Sequence, residues 1–207
     1  MRPVTLEELY QLALDAKENI WAKAKRVGRD VKIYTHWSAG RGSQTFDDYH
    51  VNITSDGTLM LSTDDLSETL AHTWKRNTGA IGVTFCACYG ATTNNLGEYA
   101  PTAIQIEKMS QVIAVLANAL DLTIDLNRVM SHSAAADNMD GLNVHPDYGY
   151  FSTCERWDNL FLGTPESPKA PKSYYDPTSG DMVLLGKANW YRNEWAKKTG
   201  GNFGPVE

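Results

Sequence analysis

Val31-Lys-Ile-Tyr-Thr-His-Trp-Ser-Ala39 alternates its side chains as a half-buried strand does, and it then runs into the small residues Ser38, Ala39 and Gly40. A histidine that leaves a strand into a Gly/Ser loop stands where an open α/β sheet places its chemistry. The stretch therefore predicts an α/β domain with a central mixed sheet flanked by helices. His36 becomes the first candidate ligand of a catalytic metal.

Upstream, Thr5-x-x-Glu8 forms a capping box, and Leu6, Leu9, Ala13, Ala16, Ile20, Ala24 and Val27 recur at three- and four-residue steps up to Gly28. This predicts an amphipathic first helix. Downstream, Tyr49 to Thr54 and Thr58 to Leu61 are β-prone runs around Ser55-Asp56-Gly57, which predicts a hairpin. Asp64 to Leu70 reads as a short helix or loop. Ala80-Ile-Gly-Val-Thr-Phe-Cys-Ala-Cys88 is nearly continuously apolar, as a strand buried on both faces is, and belongs at the centre of the sheet.

Thr102-x-x-Gln105 is a second capping box, opening a helix whose stripe is Ile106, Met109, Val112, Ile113, Leu116 and Leu120. A short strand, Arg128 to Ser131, then delivers His132 into Ser133 to Ala136. That context repeats the one around His36, and two such strand ends on one sheet can converge on one metal. Asp137 to Cys154 reads as loop, and so long a loop is more often functional than idle. Gly163 to Pro177 reads as an extended connector, Asp181 to Leu185 as a strand, and Ala188 to Lys198 as a short aromatic helix. One domain over 1–163 with a C-terminal extension over 164–207 accounts for the chain.

A chain of 207 residues that is 42% hydrophobic can bury one well-formed core. A net charge of −6 argues against general affinity for nucleic acid or anionic lipid, which needs a basic face. Three cysteines (Cys86, Cys88 and Cys154) make no disulfide framework and suggest folding in a reducing compartment. The acidic start and the lack of any stretch near ~20 apolar residues predict a protein made in the cytosol, with no signal peptide or membrane span. Work outside the cell would require release by other means.

A catalytic zinc takes three protein ligands and keeps one position open. The five histidines are His36, His50, His72, His132 and His145, and the shared context of His36 and His132 makes these two the first choice. At this point the chain resembles a known family, the type-2 N-acetylmuramoyl-L-alanine amidases, which share a fold with peptidoglycan recognition proteins and phage lysozymes. The resemblance rests on five pieces in the family's order: Ile33-Tyr-Thr-His36-Trp-Ser-Ala, Tyr49-His-Val with Asp56-Gly-Thr-Leu, His72 with Gly79-Ala-Ile-Gly-Val83, Met130-Ser-His132-Ser and Arg156-Trp-Asp158-Asn-Leu. It covers residues 30–162.

The resemblance implies a single zinc held by His36, His132 and Asp158, with Tyr49 near the metal-bound water. Arg156 stands where many members carry an oxyanion-stabilising lysine, and arginine keeps the charge while changing its geometry. His72 stands where the family often lines its groove, as a substrate contact or a structural hydrogen-bonding residue, and Trp37 and Trp74 are candidates to stack on sugar or peptide or to serve in packing. The implied substrate is peptidoglycan or a muropeptide, in an endolysin, prophage lysin, recycling enzyme or exported effector. Thr84 stands where one branch carries a glutamate. The long interval before Asp158 leaves His145, Asp147 and Cys154 as rival third ligands. The alternatives are a binding module of the same fold that holds cell-wall peptide without cutting it, whose kind typically lacks a zinc ligand, and a zinc peptidase acting on another stem-peptide bond.

Overall fold

The computed structural model describes residues 1–200. Its ten elements, in order, are β1 (Arg2–Val4), α1 (Leu6–Arg26), β2 (Lys32–Trp37), β3 (Val51–Ile53), β4 (Leu59–Leu61), β5 (Ala80–Phe85), α2 (Ala103–Ala119), β6 (Val129–Ser131), α3 (His132–Ala136) and α4 (Gly180–Lys198). The strands form one sheet in the order β1-β4-β3-β5-β2-β6. The pairs β2/β5, β2/β6 and β3/β5 are parallel, while β3/β4 and β1/β4 are antiparallel. The mixed sheet and its helices agree with the sequence reading, and the apolar Ala80 run lies inside the sheet as expected.

At Thr5 half of the expected box forms, because the Glu8 carboxylate pairs with Arg2 at 2.7 Å. Thr5 accepts from the Glu8 amide, and Glu7 and Glu8 stand in the first turn while Lys23, Lys25 and Arg26 stand in the last, matching the helix dipole at both ends. The buried face of α1 is Leu9, Ala13, Ala16, Ile20 and Ala24. That face meets α2, and Ala24 abuts Gly79 at the start of β5 so closely that a Cβ there would come within 2.5 Å of it. Thr102 and Gln105 complete the reciprocal box at the head of α2. α2 is buried nearly all round because it contacts β3, β5, α1 and α4 together.

One reading is corrected. The expected strand over Asp181 to Leu185 is the first part of α4, whose N-cap Ser179 accepts from the Met182 amide. Its buried residues Leu184, Leu185, Ala188 and Trp195 follow a helical period, which a four-residue apolar run cannot reveal. Asp64 to Leu70 takes the loop form of the two expected for it, and the edge strand β1, which carries Pro3, is an element beyond the sequence reading. Gly163 to Pro177 carries neither helix nor strand, as expected.

The C-terminal segment is part of the core. Lys187 and Tyr191 both bond Glu107 of α2, at 2.5 and 2.7 Å. Residues 201–207 of the expected extension lie outside the described residues. No helix among the described residues is long and apolar enough to cross a membrane.

The site follows from the strand period. Tyr34 and His36, two residues apart on β2, point to the same side of the sheet. There they meet Asp140, His72, Thr73 and Asp158, all from loops. The loops over residues 62–79 and 137–160 therefore roof this end of the sheet.

Candidate metal centre

The register of two parallel strands brings the histidines together. Thr35 pairs with Ser131, so His36 and His132 each follow that pair at the carboxyl ends of neighbouring strands. Their rings lie 5.0 Å apart and nearly perpendicular. Ser131 also caps α3, accepting from the Ala134 amide, so that His132 leaves the strand directly into a helical turn.

Asp158 arrives from the far loop and is buried with both histidines. Its Oδ2 lies 3.2 Å from Nδ1 of His36 and 3.7 Å from Nδ1 of His132, and one ligating atom from each of the three residues falls within 4.8 Å of the others. Tetrahedral zinc with bonds of about 2.0–2.1 Å requires ligand atoms about 3.3 Å apart. The two measured separations bracket that value, and two imidazoles with one carboxylate are an ordinary zinc donor set. The rivals stand elsewhere. His145 contacts Arg76 and Pro146, Asp147 accepts from Asn138, and Cys154 is exposed.

The electrostatics suit a cation. Burial pushes His132 down to about 3, against the pull of Asp158. For Asp158 burial opposes ionisation, but the His132 charge and the His36 hydrogen bond outweigh it and hold the carboxyl below its ordinary range. A neutral imidazole and an ionised carboxylate are the forms that bind metal.

Tyr49 is half-buried, with its ring 5.0 Å from that of His36. Burial, then Asp158 and Asp48, push its pKa up, with Arg156 and Thr84 opposing. The phenol thus keeps its proton at neutral pH. Thr84 is fully buried and donates to the Phe85 carbonyl, so no carboxylate occupies that position.

Arg156 is exposed, and its charge is felt at His132, Tyr49 and Tyr148. It lines a cleft of about 210 Å³ together with Trp37, Cys88, Trp157 and Asp158. That is below the roughly 300–1,000 Å³ of a pocket for a whole drug-sized ligand, so the cleft can take only one end of a larger molecule. Trp37 packs edge-on against Trp157, with ring centroids 4.4 Å apart.

Trp74 is 55% exposed and lies parallel to the His145 ring at 5.1 Å, giving a second, aromatic wall beside Tyr148. His72 is buried, not in the groove. Its Nδ1 is 2.9 Å from Thr73 Oγ1, and its ring packs so closely on Gly82 that a Cβ there would come within 2.5 Å.

Four contributors escaped the sequence reading. Thr73 Oγ1 lies 3.3 Å from Nε2 of His36, and the Tyr148 hydroxyl lies 3.3 Å from Nε2 of His132. Arg76, with no exposed surface, bonds both oxygens of Asp140 at 2.9 Å and Asn138 at 2.8 Å, while Tyr34 donates to the same Asp140. Asp181, at the head of α4, accepts from the amide and hydroxyl of Ser131 at 2.6 and 2.7 Å, and burial raises its carboxyl to about 7. Every one of these contacts except the Tyr148 pair spans more than thirty residues, and no local motif announces any of them. Compared with family models, curated proteins and solved structures, the chain gives no match.

Proposed function

We propose that this chain is a zinc-dependent amidase that hydrolyses the bond between N-acetylmuramic acid and L-alanine in peptidoglycan or a muropeptide. The observation that carries the proposal is the convergence of the buried His36, His132 and Asp158, with Tyr49 and Arg156 beside them. The resemblance over residues 30–162 supplies the substrate class.

His36, His132 and Asp158 would hold the ion. Bound zinc supplies Lewis acidity, polarising a carbonyl and lowering the pKa of a water toward ~7. The chain's own groups account for the rest. Arg156 offers guanidinium donors to the carbonyl oxygen as it gains charge, a role worth roughly 10²–10³ in rate for a well-placed donor. Tyr49 holds a proton next to the ligand cluster and can deliver it to the leaving L-alanine amine. The cleft lined by Trp37 and Trp157 and the wall formed by Trp74 flank the cluster, and they position the sugar and peptide on either side of it.

Mass spectrometry of purified peptidoglycan after incubation with the zinc-loaded protein, beside a chelated control, tests the proposal. The expected result is chelator-sensitive release of stem peptides bearing a free L-alanine amine. Cleavage at a different stem-peptide bond would replace the amidase with a zinc peptidase, and intact wall that retains the protein would replace it with a binding module.

A further inference from the structure

The connector over residues 163–177 carries neither helix nor strand, yet one of its side chains is locked into the core. Tyr174 is buried, its hydroxyl donates to the Asp137 carboxylate at 2.7 Å, and the same oxygen accepts from the Tyr150 amide at 3.2 Å. A phenol held through both its proton and a lone pair fixes its neighbours Lys172, Ser173 and Tyr175 against the loop that begins at Asp137. Between them the two segments enclose a cavity of about 410 Å³, to which the loop contributes Met139, Asp147 and Phe151. That volume falls within the roughly 300–1,000 Å³ of small-molecule pockets. Phe151 is 44% exposed and Tyr175 62%. Single exposed aromatic rings are ordinary, but two that line one cavity mark a ligand surface.

The cavity shares no lining residue with the cleft at Arg156, and a single residue joins the two. Ser133 follows the ligand His132, and its hydroxyl donates to the Arg156 carbonyl at 3.1 Å and lies 3.0 Å from the Tyr174 hydroxyl. Asp137, at the other end of α3, stands about 7.5 Å of helical rise from His132. The rim of the cavity carries both signs of charge. Asp147 offers a carboxylate, one oxygen of which the Asn138 amide holds at 2.8 Å, and Lys172 offers an ammonium; both residues are exposed. An anion would be opposed by Asp147 and a cation by Lys172, while a wholly apolar ligand would strip water from both. A neutral sugar ring meets none of these penalties. Its hydroxyl groups donate to Asp147 and accept from Lys172, and its C–H faces lie on Phe151 and Tyr175.

We infer that this cavity is a second subsite, which binds a neutral hexopyranose unit of the glycan strand next to the unit held at the metal cleft, and that the connector is its outer wall. The inference rests on the amidase reading for the identity of the polymer. It gives a binding role to Lys172, Ser173 and Tyr175, which lie outside the resemblance over residues 30–162.

The test titrates the full chain, metal-free and zinc-loaded, by isothermal calorimetry with tri-N-acetylchitotriose, a neutral trisaccharide, and separately with a stem peptide that carries no sugar. Wild type is compared with Tyr175→Ala and Lys172→Ala, both at exposed positions. The trisaccharide should bind the wild type equally well with and without zinc, and roughly 3- to 10-fold more weakly to each variant. Trisaccharide affinity that is the same in all three proteins, or no trisaccharide binding by a protein that cleaves peptidoglycan, would overturn the subsite and leave the amidase in place. Weakened binding of the stem peptide in the variants would give the cavity to the peptide and overturn the sugar assignment. Variant-sensitive trisaccharide binding by a protein that cleaves no wall would keep the subsite and remove the amidase.

Discussion

At the residue scale, the proposed ligand Asp158 and the proposed proton donor Tyr49 give separable tests. Asp158→Ala removes the carboxylate that holds the two Nδ1 atoms together. Zinc stoichiometry and activity should fall together in that variant. Retention of one zinc per chain would move the third ligand elsewhere. Tyr49→Phe removes only a hydroxyl and keeps the ring that packs on His36. It should keep its zinc and lose about 10²–10⁴ in turnover, the usual range for a positioned proton donor, and an unchanged turnover would take Tyr49 out of the chemistry. Both variants are read by elemental analysis beside initial rates on purified peptidoglycan.

At the element scale, β5 and α4 support the site from below and behind. A methyl group at Gly82 would meet three atoms of the His72 ring at 2.5 to 2.9 Å. Gly82→Ala should therefore destabilise the chain by about 1–3 kcal/mol, the range for overpacking a dense core, and should weaken zinc binding because His72 moves away from Thr73. Urea denaturation and chelator competition measure the two effects.

α4 is tied to β6 through Asp181, whose carboxyl burial raises to about 7. Its folded pKa lies above its unfolded value near 4, so the folded chain holds a proton that the unfolded chain has released, and stability contributed this way falls as pH rises from about 4 to 7. Asparagine cannot ionise. In metal-free protein, the stability of the wild type relative to Asp181→Asn should decline between pH 4.5 and 7.5. Parallel curves for the two proteins would mean that Asp181 ionises as an exposed carboxyl does.

At the scale of the whole molecule, the buried Arg76 holds the metal-side loops together. It joins Asp140, Asn138 and His145 to the turn that carries Thr73, and Tyr34 joins Asp140 to the strand that carries His36. Arg76→Met leaves Asp140 charged and without its guanidinium in the interior, a loss of about 3–5 kcal/mol. Amide exchange should quicken first over residues 138–148, ahead of the helices, and uniform quickening across the chain would assign Arg76 to global stability alone. Acid acts on the same region. His50 is held down to about 4 and His132 to about 3, chiefly by burial. Their folded pKa values lie below the unfolded value near 6.5, so the stability they contribute is present above about pH 6.5 and is lost as pH falls toward 4.

The sequence by itself determined what short-range physics controls. The caps at Thr5 and Thr102 fix helix starts through side chains three residues from their partners. The apolar run from Ala80 specified a buried strand, and the two strand ends bearing His36 and His132 were legible because each is followed by small residues. Only the tertiary structure decided the rest. Asp158 rather than His145, Asp147 or Cys154 meets the two histidines because the loop from residue 137 closes on Arg76 and Tyr174, contacts made across tens of residues. Thr73, Tyr148 and Asp181 reach His36, His132 and Ser131 through side chains whose partners no periodicity encodes. The Asp181 to Leu185 run became a helix because its apolar residues had α2 to pack against. Periodicity and capping act within a turn or two of the chain, whereas metal geometry and buried polar partners depend on where separate loops close.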